Sequence, residues 1–286
     1  MNKKVHISVL SLLVLGLSIS GCKKLVHQNI QAASNSSVAL ITFNDVFEQI
    51  NSAVSYEVAL DEMTNGSWNQ HGTLCADVSL MPLGTGFPKT LTIDYGTGCI
   101  GTDGVSRSGK IIAVFDGNFR DENTTISISF DGFTNGQYSV SGTNEITNTG
   151  ADGDGNPTYS EVIRDVIIAW NTQQIIWEAD LSRTWVEGDT TNFTTDTIGG
   201  TLGLAGLEDD VFTLRGTAVG NDSNTHPFTL EVTNSLVLPS NCEYVTDGMM
   251  VVYPVNFNAG TVDYGSGECD KQATIEVDGE VFNFTL

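Results

Sequence analysis

Basic residues are scarce: 12 Lys and Arg stand against 35 Asp and Glu among 286 residues, a formal charge of −23 at pH 7. Lys3, Lys4, Lys23 and Lys24 cluster near the start, leaving Lys89, Arg107, Lys110, Arg120, Arg164, Arg183, Arg215 and Lys271 for the rest of the chain. Such a surface repels phosphate backbones, which excludes nucleic acid as a partner. Close cysteine pairs are missing as well. No Cys-x-x-Cys occurs, and the body of the chain holds only His71 and His226, so a zinc site and dithiol redox chemistry are disfavoured. Neither a Gly-x-Ser-x-Gly elbow nor a Walker or dinucleotide fingerprint is present. After residue 20 there is no apolar run of the roughly 20 residues that a spanning helix needs.

The N-terminus is the most informative segment. Lys3 and Lys4 precede a largely apolar stretch from 7 to 20, and Ile19-Ser20-Gly21-Cys22 follows. A basic start, a short apolar stretch and small residues at a cleavage point make an export leader. The order resembles the bacterial lipobox. That resemblance implies a signal peptide over 1–21 and lipidation of Cys22, which becomes the mature N-terminus and carries palmitate or similar acyl chains. Lys23 follows the cysteine in place of Asp, which in that family accompanies delivery to the outer membrane. The expected location is the cell envelope, attached to the lipid membrane through the acylated cysteine, with the membrane face left open. Residues 22–42 then read as anchor and tether, since KKLVHQNIQAASNSSVALIT has no strong period.

With Cys22 assigned to lipid, Cys75, Cys99, Cys242 and Cys269 remain. An even number in an exported protein points to disulfides, and four cysteines allow three connectivities. The pairing Cys75–Cys99 with Cys242–Cys269 is preferred because it closes two loops of similar length. Each bridge would contribute about 3–4 kcal/mol in the chain-entropy model.

Residues 44–62 read as a helix, because Phe43, Val46, Phe47, Ile50, Val54 and Val58 recur three or four apart. Asn44 is positioned as its cap, with Asp45 and Glu48 in the first turn. After Gly72 the chain reads as strands broken by turn residues. Ile175, Trp177, Ala179 and Leu181 alternate with Gln174, Ile176, Glu178 and Asp180 as in a half-buried strand. Asp278-Gly279 is the clearest tight hairpin. The fold class is therefore mainly β, with antiparallel sheets in a β-sandwich-like arrangement or two related lobes, and one N-terminal amphipathic helix. Residues 43–150 form the helix plus a first β half and 151–286 a second, with one continuous domain as the other arrangement. Segment 148–159 reads as the boundary or an exposed loop, and 188–200 as a further excursion.

An internal echo supports the two halves. Thr92-Ile93-Asp94-Tyr95-Gly96-Thr97-Gly98-Cys99 matches Thr261-Val262-Asp263-Tyr264-Gly265-Ser266-Gly267-Glu268-Cys269 with one insertion. Val140-Ser141-Gly142-Thr143 and Leu214-Arg215-Gly216-Thr217 form a shorter echo. The stretch PKTLTIDYGTGCIGTDGVSRSGKI, the strand ending SRTWVEG and the terminal TVDYGSGECDKQATIEVDGE resemble an uncharacterised Bacteroidetes lipoprotein group with paired Asp-Tyr-Gly-x-Gly-Cys segments. The resemblance covers most of 72–286 and implies an anchored β protein, with no catalytic assignment to carry over.

Candidate chemistry is thin. Asp94 and Asp263 sit in tight-turn contexts where a carboxylate caps backbone N–H groups. Asp152, Asp154 and Asn156 alternate like the start of a calcium loop and are candidate cation ligands, with calcium the candidate cofactor. The sixth and twelfth positions hold Pro157 and Ile163 in place of Gly and Glu. Trp68, in a polar turn region, is a candidate ligand contact, whereas Trp177 and Trp185 share an apolar register and read as core. The function expected is an envelope-anchored lipoprotein acting as a non-enzymatic binding or assembly-support module with a protein or glycan partner. A carbohydrate hydrolase using paired Asp/Glu carboxylates is the enzymatic alternative, and a calcium-stabilised structural domain is the third reading.

Overall fold

The computed structural model describes residues 15–60, 68–69, 75–82, 84, 86–189 and 209–286, with helix side chains from Val26 to Val54. Among the described residues one helix, α1 (Leu15–Leu60), precedes fifteen strands. The first eight are β1 (Trp68–Asn69), β2 (Asp77–Met81), β3 (Lys89–Asp94), β4 (Cys99–Ile100), β5 (Ser106–Phe115), β6 (Thr125–Asn135), β7 (Tyr138–Ala151) and β8 (Pro157–Trp170). They continue as β9 (Gln173–Glu187), β10 (Val211–Asp222), β11 (Pro227–Pro239), β12 (Asp247–Pro254), β13 (Gly260–Ser266), β14 (Gln272–Val277) and β15 (Glu280–Thr285). All belong to a single antiparallel meander in chain order, with β4 off the path against β5. The mainly β, antiparallel fold with an N-terminal helix matches the sequence reading, and the two β halves are joined in one sheet.

The strands form where polar and apolar residues alternate. In β9 Ile175, Trp177, Ala179, Leu181 and Trp185 all point inward and are buried. Asp278-Gly279 turns β14 into β15 with φ of 53° and 82° and Val277 opposite Glu280, the double positive φ of a type I′ hairpin. Segment 148–159 takes the exposed-loop form, with residues 151–155 exposed. It is the β7–β8 hairpin, with Ala151 opposite Pro157. The excursion expected over 188–200 lies mostly outside the described residues.

The helix explains the shape of the sheet. Asn29, Ala33, Ser36, Ser37, Ala39, Leu40, Phe43, Val46, Phe47 and Ile50 are each at most 1% exposed. At 100° per residue these positions span about half of the helix circumference, and the buried Asn35, Thr42, Gln49 and Ala53 widen the arc to about two thirds, so one flat layer cannot bury them. Aromatic contacts come from several directions. Phe43 stacks on Trp177 at 5.9 Å and meets the edge of Phe130 in β6 at 6.2 Å. Phe47 packs against Tyr159 of β8 and Phe212 of β10 at 5.9 and 5.0 Å. The sheet curls round the helix and uses it as its core.

Two sequence readings change as a result. Residues 23–42 are not a tether; they are the first half of a continuous helix that fills the interior. Asn44 is no cap, and Asp45 and Glu48 lie mid-helix. The missed half carries Asn29, Asn35, Ser36 and Ser37 in buried positions, so it lacks the single apolar stripe that marks a surface helix.

Curling needs bulges, and the shorter echo supplies two. Gly142 and Gly216 have φ of +112° and +131°, at register shifts between Ser141 and Thr143 and between Leu214 and Thr217. A Cβ on Gly142 would lie 2.7 Å from the Asp165 carbonyl oxygen, and one on Gly216 2.2 Å from that of Asp180. An extra residue in one strand bends it and increases local twist. Gly216→Ala should lower stability by about 3 kcal/mol, combining positive-φ strain of about 1–3 kcal/mol with the backbone clash. Gly136→Ala, at φ +57° with nothing within 4 Å, should cost about 1–2 kcal/mol. Urea midpoints of the two variants check this order.

Candidate functional site

The long echo becomes two equivalent clamps on the helix. Asp94 Oδ1 accepts the Gly96 N–H and Asp263 Oδ1 the Gly265 N–H, each at 2.8 Å. Both carboxylates therefore cap turns. The following tyrosines point inward: Tyr95 donates to Gln49 Oε1 at 2.8 Å, and Tyr264 shares a hydrogen bond with Ser37 Oγ at 2.7 Å. Burial pushes both phenols above their ordinary range. Cys75–Cys99 and Cys242–Cys269 are bonded, with Cα–Cα distances of 5.8 Å in each. Each bridge ties the segment before one strand of a pair (β2, β12) to the segment after the other (β3, β13). The repeated motif is thus a device for holding the helix from two sides.

The other sequence-derived sites do not converge. Asp152 Oδ1 accepts the N–H groups of Asp154 and Asn156 at 2.9 Å, and Asn156 Nδ2 donates to Asp152 Oδ2 at 3.3 Å. These bonds hold Asp152 below its ordinary pKa, the Asn156 N–H contributing most. Among the described residues no group of three His, Cys, Asp or Glu could hold a metal ion. Asp152, Asp154 and Asn156 therefore form a self-satisfied turn. His226 Nδ1 lies 3.0 Å from Asp222 Oδ2 across one hairpin turn, and Ser223 Oγ latches the same turn to Gln174. Trp68 lies in β1 and Cys22 in α1, with their side chains outside those described.

A different set of polar residues gathers at the helix. Gln31, Ser34, Val38, Ile41, Asp45, Glu48 and Ser52 are partly exposed at alternating spacings of three and four. This stripe marks where the curled sheet leaves the helix uncovered. Over its C-terminal part lies a cavity of ≈530 Å³, floored by Ile41, Asp45, Glu48 and Ser52. One wall carries Asp103, Arg107 and Asn135, and the other Ser240, Asn241 and Glu243.

Two arginines organise the floor. Arg107, 2% exposed, donates through Nε to Asp45 Oδ2 at 3.0 Å and through Nη2 to Asp45 Oδ1 and, at 2.6 Å, to Asp103 Oδ2. Asn135 Nδ2 adds a bond to Asp45 Oδ2 at 2.9 Å. Burial alone would lower the Arg107 pKa, but the two carboxylates hold it above its ordinary value. Deeper, Arg183 pairs with Glu161 at 3.3 Å with both side chains 1% exposed, and donates to Asn44 Oδ1 at 2.7 Å. Its guanidinium lies 4.2 Å from the Phe47 ring centroid.

Glu48 is the acid left with spare capacity. Its Oε1 accepts the Ser240 hydroxyl at 2.8 Å, and burial pushes its carboxyl up to about 7 against the pull of Ser240 and Arg183. Further along, Asp210 is fully buried and raised to about 7, chiefly by burial, with Asn51 Nδ2 donating to it at 3.3 Å.

Sequence reasoning missed Arg107, Arg183 and Asn135. Arg183 did leave a signal: it occupies an inward register of β9 between Leu181 and Trp185, where an unpaired cation cannot be buried. On the outer face a second concavity, ≈470 Å³, places Glu178 and Glu231 beside Tyr253, with Asp180 ion-paired to Arg164. The fold and site define a single curled sheet wrapped around its own N-terminal helix. No family model matches the chain, and neither curated proteins nor solved structures give a match.

Proposed function

We propose that the protein is a lipid-anchored binding module of the bacterial cell envelope, acting without catalysis. The observation that carries this reading is that the sheet's interior is filled by the chain's own helix, and that this helix runs back through the lipobox cysteine. Cys22 lies seven residues before Asn29, a fully buried helix position, a rise of about 10 Å at 1.5 Å per residue. A lipid on Cys22 would therefore hold the body close to the membrane through a rigid helix. Among the described residues, the cavities beside α1 and on the outer face open to the surface and are left for recognition. Asp94 and Asp263, the carboxylates of the repeated element, cap their own turns, which supports a structural role for that element.

Mass spectrometry of the N-terminal peptide from envelope-purified protein should show an acylated Cys22 and no trace of residues 1–21. Cys22→Ser should move the protein from the membrane fraction to the soluble fraction. An unmodified Cys22 in a protein that still fractionates with membranes would refute the anchor.

A further inference from the structure

We infer that the cavity over Asp45, Glu48 and Ser52 receives a lysine side chain presented by a partner polypeptide, its ammonium group meeting Glu48. The inference rests on the binding-module reading and names the chemistry of its partner.

The cavity is of a size that holds a ligand group, since such pockets span about 300–1,000 Å³. Its charge is not balanced. Arg107 is ion-paired with Asp45 and Asp103, and Glu243, on the wall opposite, accepts the Tyr244 hydroxyl at 2.6 Å with Lys271 within electrostatic reach. Glu48 faces the same space with Oε2 bonded to nothing among the described residues, because Ser240 occupies Oε1. An anion would be repelled, and a metal ion lacks the three ligands it needs here. The remaining complement is an organic cation.

A second observation narrows its form. Asn44 lines the cavity and is only 6% exposed. Its Oδ1 holds Arg183, while its Nδ2 has no acceptor among the described residues. Arg107, 2% exposed, likewise has no acceptor for Nη1. Both residues line the cavity, and a ligand acceptor there gains a hydrogen bond from either. The site thus offers one anionic acceptor beside two unpaired donors. A ligand that carries an ammonium and nearby carbonyl oxygens satisfies all three, as a lysyl residue does with its own backbone. Arginine fits less well. Its planar fork favours a carboxylate with both oxygens available, whereas Glu48 offers one and an ammonium needs only that.

The groups facing Glu48 set its protonation. Asp45 on the same helix and Asp210 before β10 favour the neutral acid; Ser240 and Arg183 favour the carboxylate. A bound ammonium adds to the second group and releases a proton near neutral pH.

The test is calorimetric titration of envelope-purified protein in mild detergent with acetyl-Gly-Lys-Gly amide at pH 8 and 0.15 M salt. Glu48→Gln and Glu243→Gln are measured beside Glu231→Gln, an outer-surface control. Binding should weaken about tenfold in Glu48→Gln, the loss of one charge-assisted hydrogen bond. A smaller loss is expected in Glu243→Gln and none in the control, with circular dichroism unchanged in all three. Near pH 7 the native protein should release up to about half a proton per peptide, read from buffers of different ionisation enthalpy, and Glu48→Gln should release none. Absent binding, or equal losses in all three variants, would overturn the inference as diffuse attraction to an acidic surface. Spermidine or glucose binding more tightly than the peptide would overturn the lysyl assignment in favour of a free polyamine or a sugar. Mass spectrometry of the same sample reads Cys22 separately, so loss of the anchor and loss of the site are distinguishable.

Discussion

A chain cut to begin at residue 43 is expected not to fold. If residues 23–42 were a tether, removing them would free the body from the membrane and leave its stability unchanged. In the structure they belong to the helix that fills the core. Truncation removes Ala32, Ala33, Ala39 and Leu40, all at most 4% exposed, and the Ser37 hydroxyl that meets Tyr264. It also uncovers inward-facing residues of β12 to β14, among them Met250, Val252, Val262 and Ile275, now fully buried. Burial of a large apolar side chain is worth about 1.5–3 kcal/mol, so exposing four costs about 6–12 kcal/mol. That rivals the whole stability of a domain, about 5–15 kcal/mol. Near-ultraviolet circular dichroism of Trp177 and Trp185 should collapse in the truncated chain. Addition of a peptide spanning residues 22–43 in trans should recover part of the signal, because the polar contacts along the helix specify one seat. A truncated chain with native spectra and an unchanged urea midpoint would show that the first half of the helix is dispensable.

This expectation also locates what could be read from the sequence. Strands were legible because their alternation is local: β8 and β9 show it over 14 and 15 residues, and Asp278-Gly279 states its own turn. The disulfides were legible through loop length, and the echo through its repeated letters. Its purpose was not, since Tyr95 and Tyr264 show their role only when the helix lies between them. The helix was half legible. From Phe43 onward large apolar residues give a period, but the preceding turns are buried with Ser, Asn and Ala, which on a surface helix would mark solvent. The cavity was the least legible feature. Asp45 finds Arg107 and Asn135 at separations of 62 and 90 residues, and Glu48 finds Ser240 at 192. Reading Asp45 and Glu48 as first-turn charges followed a sound local rule, and tertiary structure put them to another use.

Arg183→Met should be among the most damaging single substitutions in the sheet. It leaves Glu161, 1% exposed, with Asn144 Nδ2 at 2.8 Å as its remaining partner. Breaking a buried pair from one side costs about 3–5 kcal/mol, because the surviving charge has neither water nor a counter-ion. The helix suffers as well: Asn44 loses its donor, and Phe47 loses the guanidinium over its ring. Replacing both members, as Arg183→Met with Glu161→Leu, should recover most of the loss, since a pair of apolar residues carries no desolvation penalty. Urea denaturation of the two single variants and the double gives the coupling between them. A double variant as unstable as the sum of its parts would mean that Arg183 acts mainly through Asn44 and Phe47. In that case the ion pair would serve to seat the helix, and the register of α1, rather than the stability of the sheet, would be what Arg183 protects.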